Sequence, residues 1–224
     1  MGAVVSGHLA LDLYEPGCIR RTMARRPDLT SLYVGEPHGQ VTPRVATLAR
    51  MLSGVDTTRA TDNLWGERWT KLCVNGMRNG VSAATGLGGN ERDSHDAIRL
   101  VCIRLGAESV RVGQALGFRL GKVGALDPER LVRAGEGDAG ALAEVEALML
   151  AGTRGEARSD LQRPSMAQDM AKGRRTEIEF MNGYIAAKGA EAGVPAPTHA
   201  RLTEVVMRVE RGELAPSPAN VLWN

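Results

Sequence analysis

The segment 64–86, LWGERWTKLCVNGMRNGVSAATG, decides most of the fold, because its periodicity predicts one long helix with two unlike faces. Five polar residues fall on one stripe at 100° per residue: Lys71, Asn75, Arg78, Asn79 and Ser82. Trp65, Trp69 and Leu72 fall on the other side, where we expect packing. The segment therefore predicts a helix that packs on one face and presents polar groups on the other.

The polar stripe has two interpretations, a solvated surface or a binding face. Asparagine is a poor helix former, and Gly76 and Gly80 each cost about 1 kcal/mol relative to alanine inside a helix. A merely solvated face would more often be built from Glu and Lys. Amides spaced i and i+4 beside an ammonium group favour hydrogen bonding to a small polar ligand.

The chain beyond residue 62 predicts helix after helix. We place these helices near 62–84, 93–116, 127–134, 138–151, 165–172, 177–192 and 198–211. Five glycines are predicted to end helices: Gly117, Gly135, Gly152, Gly193 and Gly212. The glycines at 86–89 predict a loop, because they follow a helix and lack the full phosphate-loop spacing.

Residues 1–60 predict strands broken by turns and one helix. Strand patterns occur at 4–5, 9–14 and 32–34, and Thr42 followed by Pro43 predicts a helix start. Short strands with a single covering helix would leave sheet edges and one face exposed, so this region is an incomplete sheet.

A second candidate segment is 163–184, RPSMAQDMAKGRRTEIEFMNGY. Thr176 and Glu179 fit a capping box, and Ser165 fits a helix N-cap. Glu177 instead shares the partly apolar stripe of Phe180, Met181 and Tyr184. A carboxylate there is expected to be partly desolvated, either as a buried salt bridge or as a catalytic group.

Composition excludes several classes of protein. A net charge of +2 does not indicate a nucleic-acid partner, and the arginines at 20–26 lack interleaved aromatic residues, which favours a solvated face. Three cysteines without C-x-x-C spacing, and histidines without ligand spacing, predict neither disulfides nor a metal site. No uncharged apolar run reaches the ~18 residues of a membrane span. We expect a cytoplasmic protein.

Segments 64–86 and 163–199 resemble the C-terminal helical domain of ketopantoate reductase, also called 2-dehydropantoate 2-reductase. The likeness combines W-x-K-L-x-x-N-x-x-x-N, S-M-x-x-D, T-E-I-E-x-x-N-G and G-V-P-x-P in the family's order. LYEPG at 13–17 and VGEP at 34–37 resemble the last strands of its nucleotide-binding domain. The resemblance implies an α+β chain: residues 1–60 as the end of an incomplete Rossmann α/β domain, then 61–224 as an all-α domain of the 6-phosphogluconate dehydrogenase C-terminal-like type.

The resemblance implies NADPH-dependent reduction of ketopantoate to pantoate in pantothenate biosynthesis. It assigns Lys71 as general acid, Asn75 and Asn79 as substrate-binding amides, Ser165 as a substrate-binding hydroxyl and Glu177 as the carboxylate that orients the substrate hydroxyl. An ammonium at Lys71 would stabilise and protonate the carbonyl oxygen as hydride arrives. Glu177 near that ammonium would keep it charged and in position.

The family begins with a strand, a G-x-G-x-x-G loop and a helix, and that opening unit is absent from this sequence, which resembles a member cut within its Rossmann domain. We therefore expect these 224 residues alone to bind NADPH poorly. Two alternatives stay open: a reductase of a different small 2-oxo acid, and a non-catalytic helical module that acts by dimerisation or protein binding. A homodimer is compatible with either.

Overall fold

The computed structural model describes residues 4–7, 11–21, 30–153 and 164–223. The chain divides into two compact units, Met1–Lys71 and Leu72–Asn224. The sequence predicts a boundary between a nucleotide-binding part and a substrate-binding part at residues 60 and 61, and that assignment of functions stays a prediction. Within the described residues, no helix is both long enough and apolar enough to cross a membrane.

The first unit is built from short strands, one complete helix and the beginning of the helix Leu64–Gly76. Its elements are β1 (Val4–Gly7), β2 (Leu11–Glu15), β3 (Cys18–Arg21), β4 (Leu32–Gly35), α1 (Pro43–Leu52) and β5 (Thr58–Ala60). One sheet has the order β1-β4-β5, with β1 antiparallel and β5 parallel to β4, and β2 and β3 form a separate antiparallel pair. The sequence predicted β1, β2 and β4 but neither β3 nor β5, whose residues show little apolar alternation.

Helix α1 begins as predicted at Thr42, whose hydroxyl accepts a hydrogen bond from the Val45 amide at 3.3 Å. Its buried residues Val45 and Ala49 pack against Val34 of β4. Beyond β4, the buried Glu36 carboxylate accepts a hydrogen bond from the hydroxyl of Thr42 at 2.9 Å. It also accepts from Nη2 of Arg44, which lies 2.7 Å from both carboxylate oxygens, and from Nε of Arg44 at 3.1 Å. Arg44 and Thr42 lower the pKa of Glu36, so this carboxylate joins the strand end to the helix start.

The rest of the described chain is mainly helical. Its helical elements are α2 (Leu64–Gly76), α3 (Asn79–Thr85), α4 (Gly89–Ser94), α5 (Asp96–Ala115), α6 (Pro128–Gly135), α7 (Ala139–Ala151), α8 (Ser165–Ala171), a π-helical turn (Glu179–Gly183), α9 (Tyr184–Glu191), α10 (Pro197–Glu210) and a 3-10 turn (Pro218–Val221). In the second unit α5 packs against α4, α6, α9 and α10, which makes it the central helix.

The predicted helix ends are partly confirmed. Gly117, Gly193 and Gly212 adopt left-handed backbone angles, with φ of +79°, +69° and +72°, immediately after helices. Gly135 is instead the last residue of α6, and the left-handed residue there is Gly137. Gly152 is the C-cap of α7 as predicted, with φ of −70° instead of a left-handed angle.

Candidate functional site

The helix predicted over 62–84 is two helices in the structure. α2 ends at Gly76, Met77 and Arg78 form a turn, and α3 begins at Asn79. The prediction of one continuous polar stripe is therefore wrong beyond the end of α2. Asn75 and Asn79 flank the break, and both side chains are half-buried.

The two glycines beside the break have a structural reason that the sequence did not show. A Cβ at Gly76 would lie 2.9 Å from Ile185 Cδ1, and a Cβ at Gly80 would lie 2.9 Å from Ile178 Cδ1. Both positions are buried, so glycine allows close approach of these helices. Packing therefore explains both glycines, and their cost in helix propensity no longer argues for a ligand.

Ser82, the last member of the predicted stripe, belongs to the interior. Its hydroxyl accepts a hydrogen bond from the Arg92 guanidinium at 2.9 Å, and both side chains are buried. Arg92 also pairs with Asp93 at 2.7 Å and lies 3.4 Å from the carbonyl oxygen of Arg78 in the turn. A buried ion pair thus supports the break from one side.

A second buried network supports the break from the other side. Asn182, in the π-helical turn, donates from Nδ2 to the carbonyl oxygen of Gly76 at 2.8 Å and lies 2.9 Å from Nδ1 of His199. His199 Nε2 lies 2.9 Å from the carbonyl oxygen of Leu105 and 2.8 Å from Ser109 Oγ. Asn182, His199 and Ser109 are fully buried. The network joins the end of α2 to the π-helical turn, α10 and α5.

The partners of His199 determine its protonation. The Leu105 carbonyl can only accept, so Nε2 carries the ring proton and Nδ1 accepts from Asn182. Burial lowers the pKa of His199 from 6.5 to about 4, against the opposing effect of the Leu105 carbonyl. The ring is therefore neutral at pH 7. The sequence marked His199 only as lacking metal-ligand spacing, and Asn182 only as part of a motif.

The start of α10, next to His199, is held by a carboxylate from the central helix. Glu108 accepts from the backbone amide of Thr198 at 3.1 Å, from its hydroxyl at 2.5 Å and from the backbone amide of His199 at 3.2 Å. Burial raises the pKa of Glu108, and these hydrogen bonds oppose that rise. A helix start capped by a neighbouring helix fixes the position of the histidine ring.

Ser165 is the first residue of α8 and its side chain is exposed. Pro164 occupies the N-cap position, and no side chain caps this helix start. The interpretation of Ser165 as an N-cap is therefore wrong. Its hydroxyl lies on the surface of the second unit.

Glu177 is also exposed, in the bend before the π-helical turn. Phe180 is 79% exposed and Tyr184 42%, whereas Met181, on the same predicted stripe, is buried. The predicted desolvation of Glu177 is wrong for this chain, because extra residues in the π-helical turn shift the faces from those of a regular α-helix.

In the capping box predicted at Thr176, the acidic residue that accepts from the Thr176 amide is not Glu179. Thr176 Oγ1 accepts from the Ile178 amide at 3.3 Å, but the Thr176 amide donates to Glu210 of α10 at 2.6 Å. Glu179 forms an ion pair with Arg175 instead. A carboxylate distant in sequence has replaced the local one.

The predicted site residues lie on several elements. Asn75 and Asn79 flank one break, and α3 packs against α8, which begins at Ser165. Lys71, the last residue of the first unit, is half-buried and precedes Asn75 by one turn of α2. A cleft of about 220 Å³ between α3, α8 and α10 is lined by none of the five predicted site residues.

Comparison with known proteins identifies the helical region. Residues 63–210 match the protein family described as Ketopantoate reductase PanE/ApbA C terminal. A 2-dehydropantoate 2-reductase from Mesorhizobium japonicum (strain LMG 29417 / CECT 9101 / MAFF 303099) is 27% identical over 215 residues, which cover 95% of this chain and 56% of that relative. The chain therefore spans little more than half of that relative's length.

Solved structures agree with this match. A PanE/ApbA family ketopantoate reductase from Ralstonia eutropha JMP134 superposes with a TM-score of 0.66 at 25% identity, covering 94% of this chain and 60% of its own. A D-mandelate dehydrogenase solved with NADH and anilino(oxo)acetate superposes with a TM-score of 0.67 at 23% identity, over 94% of this chain and 60% of the dehydrogenase chain. At that identity, the likeness shows the fold alone. The predicted fold class, an all-α C-terminal domain after part of a Rossmann domain, is confirmed.

Proposed function

We propose that this chain, which belongs to the ketopantoate reductase PanE/ApbA C-terminal family, supplies the substrate-binding part of an enzyme that reduces 2-dehydropantoate to pantoate with NADPH. One observation carries the proposal: two amides, Asn75 and Asn79, flank a buttressed helix break one turn from Lys71. Partly buried amides beside an ammonium group suit a ligand that carries both a carboxylate and a ketone oxygen.

In the proposed reaction, hydride adds to the ketone carbon and a proton adds to its oxygen. Lys71 is the proton donor, and its positive charge stabilises the negative charge that develops on that oxygen. Asn75 and Asn79 donate hydrogen bonds that orient the substrate. NADPH supplies the hydride when bound, but no residue is assigned to it here, because the G-x-G-x-x-G run at 135–140 follows helix α6 and not a strand, as a nucleotide-binding loop would.

Ser165 and Glu177 are proposed to complete the substrate site. Both residues are exposed in the second unit, so either side chain can contact a ligand without first leaving a buried position. Glu177 would accept a hydrogen bond from the substrate hydroxyl, and Ser165 would bind a substrate oxygen. A different small 2-oxo acid remains the alternative substrate, since pocket shape sets that choice.

A non-catalytic binding module is the second candidate, and the exposed rings of Phe180 and Tyr184 favour it. The two candidates differ in what they expect of the amides. A substrate site requires Asn75 to bind the oxo acid, whereas a protein-binding module tolerates Asn75→Leu without loss of its partner.

Two measurements test the proposed function. Isothermal titration of the 224-residue chain with ketopantoate should detect binding that Asn75→Leu weakens. For turnover, the chain is joined downstream of a nucleotide-binding segment bearing G-x-G-x-x-G, and NADPH oxidation is followed by the loss of NADPH absorbance. Lys71→Ala should lower the rate by about 10² to 10⁴, whereas the exposed control Lys172→Ala should not. Equal rates in both variants would overturn the assignment of Lys71.

A further inference from the structure

Two irregular stretches of backbone meet in the second unit. One is the turn at Met77 and Arg78 between α2 and α3, and the other is the π-helical turn Glu179–Gly183 that leads into α9. The side chain of Asn182 joins them by a hydrogen bond to Gly76, which lies 106 residues earlier in the sequence. A π-helical turn changes the directions in which side chains project, and such turns are common at functional sites.

Asn182 supplies what the broken helix lacks. The last carbonyls of a helix have no partner within it, and Nδ2 of Asn182 donates to that of Gly76 at 2.8 Å. The second hydrogen on Nδ2 points to Nδ1 of His199 at 2.9 Å. Each hydrogen of one amide nitrogen is therefore used, one on the break and one on a buried ring.

This arrangement has one orientation. If the Asn182 amide were reversed, its oxygen would face the carbonyl oxygen of Gly76 and Nδ1 of His199, both of which are acceptors. In the observed orientation, Oδ1 is buried without a hydrogen-bond partner among the described residues. Retaining an unpaired buried oxygen costs free energy, which indicates that the contact with Gly76 matters more than full pairing.

The contact lies where it can control the amide pair. Gly76 directly follows Asn75 and lies three residues before Asn79, and Arg92 reaches the Arg78 carbonyl in the same turn. Turning the backbone at Gly76 would rotate both asparagine side chains. The far end of α3 has a separate buttress, because Asn220 donates to the carbonyl oxygen of Ala84 at 3.0 Å.

We propose that Asn182, held by His199, is a positioning residue that sets the relative direction of the Asn75 and Asn79 side chains. The expected effect on substrate binding rests on the proposed function, since the two amides are the proposed substrate ligands. Asn182 itself touches no substrate in this proposal. It acts through the backbone of Gly76.

The first test measures the amides directly and needs no substrate. In the ¹⁵N-labelled full chain, Asn182→Leu should shift the side-chain amide resonances of Asn75 and Asn79, because leucine has a similar shape but no donor. The matched control Asn220→Leu removes a comparable donor at the other end of α3 and should leave both resonances in place. Unchanged resonances in Asn182→Leu would overturn the inference.

The second test measures the consequence for binding. The Kd for ketopantoate should rise about tenfold in Asn182→Leu, since small displacements of binding groups are costly, and should stay unchanged in Asn220→Leu. Equal changes in the two variants would show general destabilisation and overturn the inference. If Asn182→Leu does not fold, Asn182→Ser, which keeps one hydroxyl donor, should produce smaller changes of the same kind, and no change would overturn it.

The two tests separate the inference from the proposed function. If the wild-type chain does not bind ketopantoate while Asn182→Leu shifts both resonances, the proposed function fails and the positioning role stands. If the chain binds ketopantoate while neither resonance nor affinity depends on Asn182, the proposed function stands and the positioning role fails.

Discussion

The two pairs of proposed substrate ligands in the second unit are held in opposite ways. Asn75 and Asn79 flank a break that is fixed on both sides by buried networks, one through Asn182 and one through Arg92. Ser165 and Glu177 are exposed. The interior of the unit therefore predetermines the directions of the amides, whereas the hydroxyl and the carboxylate are oriented only when something binds them.

The largest expected effect comes from breaking the Arg92 buttress. Arg92→Met removes the guanidinium that pairs with the buried Asp93, and losing one member of a buried ion pair costs about 3 to 5 kcal/mol. We expect the free energy of unfolding in urea at pH 7 to fall by that amount.

The control for this prediction is an ion pair in water. Arg111 pairs with Glu136 at 2.7 Å while both side chains are about half exposed, so Arg111→Met should cost less than about 1 kcal/mol. Comparable losses in the two variants would show that the network around Arg92 does not stabilise the break.

The next effect is a loss of stability in acid through His199. Its pKa is about 4 in the folded chain against an ordinary 6.5, so between these values the unfolded chain binds a proton that the folded chain does not. Stability is full above pH 6.5, falls as pH drops, and has lost about 3 kcal/mol from this group by pH 4. Urea unfolding across that range measures the slope.

The contribution of Glu108 to the pH dependence of stability must be distinguished from that of His199, because the two contributions have opposite signs. Its raised pKa means that the folded chain takes up a proton first, which adds stability as pH falls. His199→Gln removes the histidine and leaves Glu108 in place. If the variant and the wild type show the same pH slope, His199 is not the buried neutral group that the network requires.

A smaller effect is expected at the close approach beside the break. Gly80→Ala places a methyl group 2.9 Å from Ile178 Cδ1 and 3.0 Å from Leu202 Cδ2, and overpacking costs about 1 to 3 kcal/mol. The gain in helix propensity of about 1 kcal/mol reduces this cost. Thermal unfolding should show a lower Tm, whereas Gly121→Ala, with nothing within 4 Å, should not. A stabilised Gly80→Ala variant would refute the packing argument.

The smallest effect is expected at the exposed pair. Ser165→Ala and Glu177→Gln should each change the free energy of unfolding by less than about 0.5 kcal/mol, because neither removes a buried contact. Their affinity for ketopantoate should nevertheless fall if both bind substrate. A large loss of stability in either variant would mean that the pair is held by the interior after all.

Local chemistry made part of this molecule predictable. Thr42 with Pro43 marked a helix start, and Gly117 and Gly212 marked helix ends, because a cap depends on residues within one turn. The polar residues Lys71, Asn75 and Asn79 were identified from their spacing and from a family resemblance, but their roles remain predictions.

The parts that could not be predicted depend on distant partners. The break after Gly76 is supported by Asn182, which lies 106 residues away in sequence. The amide of Thr176 binds Glu210, 34 residues away, rather than the Glu179 of the local capping pattern. Helical periodicity assumes a regular helix, so it also misplaced Glu177 where a π-helical turn intervenes.

The π-helical turn makes the chain more sensitive to deletion than to substitution near Asn182. A π-helical turn holds one residue more per hydrogen-bonded loop than an α-helix, so removing one residue from Glu179–Gly183 would restore regular winding. Every side chain on one flank would then rotate by about 100° relative to the other. The spacing between Ile178 and Ile185 in this chain is therefore a length requirement, and relatives that differ by one residue there would need another way to hold the break.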